Sequence, residues 1–417
     1  MFRVLFHLIA FSAFAWFVPV VHALDIHGFI QGNYTGRVTG DQTVRGSGDY
    51  LLLDDRLQLE LSQKSKDGNA GAFFKSDFFY DGVADKNDIL VREGYVNYRK
   101  DALDLRVGRQ IATWGTGDLL FINDLFPKNY SALYSGKPTE YMRSPTDGAK
   151  LDISTNVLSA EIMVMPTFDA YEYPNPSRFH VFDPYASVSA RTTEKPVKHL
   201  DDSELALRIY RYFGSTDVSF YAYNGFSKTP SARPDNAVSP GRITYFYPEL
   251  SVYGFSISGN ILNGIGNIEA GYNDSRRNRD GNDPNIENSR WKAMSGYKRD
   301  LGSDFTAGVQ YYMEVMDNYS NYSKNLPAGI VRQRMITDYA TLRLTKFYMY
   351  QTLKLSFFWM YSPADNDYFI NPEVSYKLTD EFLFALGGNF FGGERNNTPF
   401  GQLKQDGNLY TYLRYQF

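Results

Sequence analysis

Between Leu51 and Leu61 the chain alternates almost without error. Leu51, Leu53, Leu57, Leu59 and Leu61 hold one parity, and Leu52, Asp54, Arg56, Gln58 and Glu60 hold the other; Asp55 alone breaks the apolar set. Residues of one parity line one face of a strand, so this stretch reads as a strand with an apolar side and a polar side. The last eleven residues repeat the pattern: Leu409, Thr411, Leu413, Tyr415 and Phe417 stand against Tyr410, Tyr412, Arg414 and Gln416. Leu103, Leu105 and Val107 likewise alternate with Asp104 and Arg106. A chain built from such segments must form a sheet whose faces meet two different surroundings.

The connections say which surroundings. Tight turns fall near Lys66, Lys100, Thr155, Gly214, Gly264, Gly302, Met349 and Thr379, and long polar stretches lie between them. Strict alternation of short and long connections is expected of a transmembrane antiparallel β-barrel with short periplasmic turns and long extracellular loops. The all-β count is about 18 strands, with 16 also compatible with the length. Composition fits: 33 Tyr and 31 Phe supply aromatic girdles, and mean hydropathy is only -0.40. No apolar run after residue 23 reaches the ~18 residues of a membrane helix. The chain has no Cys, which excludes disulfides and thiolate metal sites. A formal net charge of -4 gives no basis for nucleic-acid binding.

The amino terminus supplies an export signal. Arg3 precedes an apolar run at residues 4–21, interrupted by His7, Ser12 and Pro19, and Val21-His22-Ala23 forms a small-residue cleavage site. Residues 1–23 read as a signal peptide, leaving 24–417 as a single barrel domain. Joined to that signal, Leu409, Leu413, Tyr415 and Phe417, with Gly407 upstream, resemble the C-terminal assembly signal of bacterial outer-membrane β-barrels; Thr411 is weaker than the usual apolar choice. The run Val-Gly-Arg-Gln-Ile-Ala-Thr-Trp-Gly at 107–115 resembles porin-like outer-membrane families and, more loosely, alginate-export barrels. The resemblance implies a place in the Gram-negative outer membrane and contact with lipid and lipopolysaccharide. It also implies assembly by the barrel-assembly machinery through Leu413, Tyr415 and Phe417, homo-oligomers of the kind related porins form, and passage of small polar solutes.

Parity assigns Arg56, Glu60, Lys75, Asp77, Arg106, Glu204, Arg208, Arg343 and Arg414 to the lumen. Both signs occur and can pair across strands, and the slight excess of Arg leans towards polar or anionic solutes. Strict parity from Leu105 and Val107 places Arg109 towards lipid, which costs about 2–4 kcal/mol at the midplane and little at an interface. The expectation is a bulge at Gly108 that turns Arg109 into the pore; the alternative is a rim position. Residues 111–145 lose the alternation. They hold Leu119, Leu120, Phe121, Ile122, Leu125 and Phe126 among Asp118, Asp124, Lys128 and Arg143, too apolar for a loop wholly in water. They are expected to fold into the lumen with Arg106 and Arg109 on the facing wall, or else to form an outward lid. Residues 242–260 read as one strand in which Pro248 marks a bulge or an interface.

No catalytic set emerges. His27, His180 and His199 lack an evident Ser partner or zinc spacing. Asp280-Gly-Asn-Asp283 lacks the spaced ligands of a calcium loop. The expectation is a non-enzymatic, porin-like channel for passive or mildly selective diffusion, with no cofactor, metal or catalytic residue. A barrel within a larger envelope complex and an outer-membrane enzyme are the other readings.

Overall fold

The computed structural model describes residues 24–39, 49–197, 199–327 and 330–417; the expected signal peptide lies outside them. Eighteen strands form one sheet that closes on itself. They are β1 (Asp25–Arg37), β2 (Tyr50–Lys64), β3 (Ala70–Asp81), β4 (Lys86–Lys100), β5 (Leu103–Gln110), β6 (Thr146–Ser154), β7 (Ser159–Met165), β9 (Glu204–Phe213) and β10 (Thr216–Phe226). The ring continues through β13 (Glu249–Ile261), β14 (Gly264–Ser275), β15 (Arg290–Asp300), β16 (Phe305–Met316), β17 (Ile336–Tyr348), β18 (Leu353–Ser362), β19 (Asp367–Lys377), β20 (Phe382–Gly393) and β21 (Asn408–Gln416). β8 (Ala190–Glu194), β11 (Ser231–Pro234) and β12 (Arg242–Phe246) form a separate small sheet.

The first and last strands close the ring. β21 pairs antiparallel with β1 from Phe29↔Gln416 to Arg37↔Asn408, and the backbones of Gly28 and Phe417 exchange two hydrogen bonds of 3.0 Å. Closure removes the unpaired edge that an open sheet would present.

Burial is inverted relative to a water-soluble protein. On β21, Leu409, Leu413 and Tyr415 are exposed, whereas Tyr410, Tyr412 and Arg414 are buried; on β1, Ile26, Ile30 and Tyr34 are exposed and Gln31, Asn33 and Thr35 are buried. Exposed aromatic side chains gather in two belts. Tyr34, Tyr50, Tyr253, Trp291 and Tyr368 lie towards the long-loop end, and Tyr98, Tyr212, Tyr348, Tyr376 and Tyr415 towards the short-turn end. An apolar outer band between two aromatic girdles is the wall of a barrel that spans a membrane.

Two expectations of detail change. The alternation of connections is not strict: β3–β4 and β18–β19 are joined at the long-loop end through only residues 82–85 and 363–366. The expected strand at 242–260 is two strands, β12 in the small sheet and β13 in the barrel wall. Pro248 separates them because it has no N–H to continue a ladder; its carbonyl instead accepts from the Ser227 N–H at 2.8 Å.

Candidate functional site: a lumen crossed by one loop

Residues 111–145 leave β5 and make their polar contacts with inward-facing residues around the ring. The Trp114 indole donates to Glu161 at 3.0 Å and packs on Phe126 and Tyr221. Glu269 of β14, only 1% exposed, accepts four hydrogen bonds from the loop. Its donors are the Thr116 N–H (2.7 Å) and hydroxyl (3.0 Å), and the Asn123 N–H and side-chain amide (3.0 Å each). Asp118 then takes both nitrogens of one face of the Arg343 guanidinium, with Nη2 to Oδ1 at 2.8 Å. Arg343 is on β17, nine strands around an eighteen-strand ring from β5. The loop tip therefore touches the wall diametrically opposite its origin.

The returning limb lies against the seam where β21 meets β1. It contains the short helix α1 (Tyr130–Tyr134), capped by Asn129 Oδ1, which accepts from the Ala132 N–H at 2.6 Å. Thr35 of β1 donates to the Ser135 carbonyl at 2.7 Å, and Asn408 of β21 donates to the Tyr134 carbonyl at 3.0 Å. Lys137 pairs with Asp54 at 2.9 Å, and Arg414 with Glu140 at 2.7 Å. Burial draws the Lys137 and Lys128 ammonium groups below the ordinary lysine range, opposed by the Asp54 and Asp124 carboxylates.

The wall is shaped to receive the loop. Gly254 and Gly271 stand opposite each other in the β13–β14 ladder. A Cβ at Gly254 would lie 1.9 Å from Asn123 Oδ1, and one at Gly271 2.8 Å from Ile122 Cγ2. Two paired residues without side chains thus form the seat. Around it Leu120 and Ile122 join Met294, Tyr312, Phe358 and Phe369 in a buried apolar cluster.

The charged residues expected from sequence sit as follows. Arg56, 3% exposed, lies between Asp54 and Asp77, with N–O distances of 2.7 and 2.6 Å, and over the rings of Phe79 and Tyr141. Lys75 pairs with Glu60 at 2.6 Å. Arg208 bridges Glu161 and Asp217 at 2.8 and 2.9 Å. Glu204 is buried against Lys228 at 2.6 Å and the Tyr223 hydroxyl. Arg106 lies over the Tyr95 ring, 4.2 Å from its centroid.

Arg109 departs from expectation. The ladder runs through it without a shift, Gly94↔Arg109 on one side and Arg109↔Asp147 on the other, so Gly108 makes no bulge. Register shifts fall elsewhere, between β3 and β4 at Lys75/Ser76 and between β1 and β2 at Thr35/Gly36. Arg109 keeps the parity of Leu105 and Val107, and Asp147 holds it in a bidentate pair of 2.8 and 2.7 Å. It stands one residue from the end of β5 but opposite Gly94 in the interior of β4, with a side chain only 12% exposed. Nor do Arg106 and Arg109 form the facing wall. Both are on the strand from which the loop departs, and the wall it meets carries Glu269, Gln310 and Arg343. Glu269 was missed in sequence although it is a carboxylate on the polar parity of an alternating strand; its burial depends on a loop some 150 residues away.

Two cavities flank the loop. The outer, about 540 Å³, is lined by Leu119, Leu120 and Phe121 and by residues at the long-loop ends of the strands. The inner, about 850 Å³, is lined by residues 113–116 and Asp118, with Arg208, Arg343 and Tyr297. Among the described residues no group of three or more His, Cys, Asp and Glu could hold a metal ion.

This fold defines a porin-like transmembrane β-barrel. The chain belongs to the family described as "Protein of unknown function (DUF1302)", which it matches over residues 91–366. No curated protein matches it. Among solved structures it is similar to Pseudomonas aeruginosa OccK2 (OpdF) in complex with glucuronate, at 8% identity and a TM-score of 0.57, covering 96% of this chain and 99% of that one. It is also similar to the P. aeruginosa outer membrane protein OpdK, at 9% identity and a TM-score of 0.56, covering 96% and 100%. P. aeruginosa OccK11 (OpdR) follows at 9% and 0.53, covering 94% and 96%. At these identities the likeness is one of fold.

Proposed function

We propose that the protein is a porin-like channel of the Gram-negative outer membrane in which residues 111–145 set the bore, and that its pore walls include the inward-facing charges named above. The observation that carries this reading is the contact of Asp118 with Arg343 on the opposite wall. A barrel of this strand number otherwise encloses a wide aqueous channel, and the loop divides that space into an outer and an inner cavity. The solutes are small anions. At the outer cavity Glu314 is shared by Arg290 and Lys292, and Asp365 by Arg334 and Arg395, so each carboxylate faces two cations. Rings of such cations favour anions. Lipid and lipopolysaccharide surround the apolar band, and the barrel-assembly machinery reads Leu413, Tyr415 and Phe417.

Planar-bilayer recording tests the reading. Discrete conductance steps, with an anion-directed reversal potential in asymmetric KCl, are expected. A correctly inserted barrel that passes no current, in wild type or with the loop tip released by Arg343→Ala, overturns it.

A further inference from the structure

A third cavity, about 390 Å³, opens beside the loop tip on the outer side. Its size falls within the ~300–1,000 Å³ of small-molecule sites. Its lining differs from the rest of the lumen: no Asp, Glu, Lys or Arg contributes, and the walls are aliphatic, aromatic and Pro side chains with Asn397 and Gln402. Leu119, Leu120 and Leu133 from the loop line it together with Met360 and Phe369 of β18 and β19 and with Phe400. Phe369 stacks on Phe400 at 5.7 Å, and Tyr134 meets both edge-on, so the aromatic wall is already packed in place. Tyr130, Tyr134 and Tyr339 also line it, and their hydroxyls make no hydrogen bond among the described residues.

This cavity adjoins the cation-rich outer one. Leu119, Leu120, Tyr130, Tyr173, Tyr339 and Pro399 belong to both. Arg395, one of the two arginines that share Asp365, lines the outer side of that junction. An aromatic and aliphatic pocket beside the paired guanidinium groups of Arg395 and Arg334 matches one kind of molecule.

We propose that this pocket is a solute-binding site for amphipathic monoanions, with a rigid aromatic or alicyclic body and a single carboxylate. The proposal rests on the channel reading and names its solute class. The ring system enters between Leu120, Phe369 and Phe400, where burial of apolar surface drives binding. The carboxylate stays at the mouth beside Arg395 and Arg334, and the free tyrosine hydroxyls donate to polar substituents on the ring. A sugar acid carries the same charge but has little apolar surface to bury between Leu120, Phe369 and Phe400.

Calorimetry on the detergent-purified barrel with 2-naphthoate, gluconate and uncharged 2-naphthylmethanol tests this. Naphthoate is expected to bind at least about tenfold more tightly than gluconate. Arg395→Gln should weaken naphthoate several-fold and leave naphthylmethanol unchanged, whereas Phe400→Ala should weaken both. Should Phe400→Ala fail to fold, Leu119→Asp replaces it. Leu119 has a φ of 61°, a conformation that Asp tolerates, and a carboxylate there should expel naphthoate. Gluconate binding as well as naphthoate, or naphthoate affinity unchanged in every variant that migrates as folded barrel, overturns the site. Conductance of the same preparation in KCl alone separates the two claims: open steps without naphthoate binding sink only the site, and absence of steps sinks the channel.

Discussion

Asp118 and Arg343 are 225 residues apart in sequence and meet across the full width of the barrel, with Nη2 to Oδ1 at 2.8 Å. The pair fixes the far end of a loop whose near end is covalently tied to β5. Both side chains are about one-third exposed, which limits the pair to about 1 kcal/mol. Asp118→Ala should therefore leave the barrel folded while freeing the tip, seen as added current noise and a higher mean conductance. Traces identical to wild type would mean the tip does not limit flow.

Glu269 anchors the loop more firmly. Glu269→Gln turns an amide towards donors and loses charge-assisted bonds, at a cost of about 3 kcal/mol. The expected result is protease cleavage within residues 111–145 of an otherwise intact barrel. Protection equal to wild type would contradict it.

The seat itself can be filled. Gly271→Val places atoms where Ile122 Cγ2 now lies, an overpacking worth about 1–3 kcal/mol. The loop should lift while the β13–β14 ladder survives, giving wild-type heat-modifiable migration with altered conductance. Failure of the barrel to form would show that Gly271 serves the ladder and not the loop.

Replacing Tyr415 and Phe417 by Asp should sharply reduce outer-membrane levels. Both belong to the outward parity of the closing strand, and a charge on the lipid face costs up to about 2–4 kcal/mol, less near an interface. Phe417 also pairs with Gly28 through its backbone, which the substitution leaves possible. Wild-type levels of the variant would remove the assembly role.

Glu172 gives a pH dependence. It joins residues 128–130, its carboxylate accepting from the Asn129 amide at 2.5 Å and its N–H donating to the Lys128 carbonyl at 2.8 Å. Although the residue stays partly open to solvent, crowding by the surrounding protein raises its pKa above the usual 4.5, with Lys137 opposing. The docked form thus holds its proton more tightly than the undocked form. Docking of the 166–203 connection should be strongest below about pH 4.5 and weaken as pH rises through the raised value. Hydrogen exchange at residues 128–130 measures this, and Glu172→Gln should flatten the profile.

The barrel was legible in sequence because a strand records its environment locally. Leu53, Leu57 and Leu59 against Arg56 and Gln58 is a two-residue rhythm that needs no knowledge of partners. Arg56 and Asp77 could be placed inward by the same count. Arg109 could not, because the neutralising carboxylate, Asp147, lies on the far side of the long loop and only pairing brings it opposite. The apolar content of residues 111–145 showed that they were not free in water; the wall they touch depends on Gly254, Gly271 and Glu269, none of which differs in sequence from any other strand residue. Pro248 was expected to mark a bulge or an interface within one strand; only hydrogen bonding distinguishes that from the junction of two strands.

The contacts of Thr35, Asn408, Lys137 and Arg414 carry a consequence for biogenesis. The returning limb of the loop is fastened to the first two strands and to the last one, so it spans the seam that closes the ring. Pairing of the carboxyl-terminal strand with β1 and docking of the loop therefore support one another. Closure of the ring and pore geometry would be written into the same thirty-odd residues, and shortening them to widen the passage should also slow the closing of the wall.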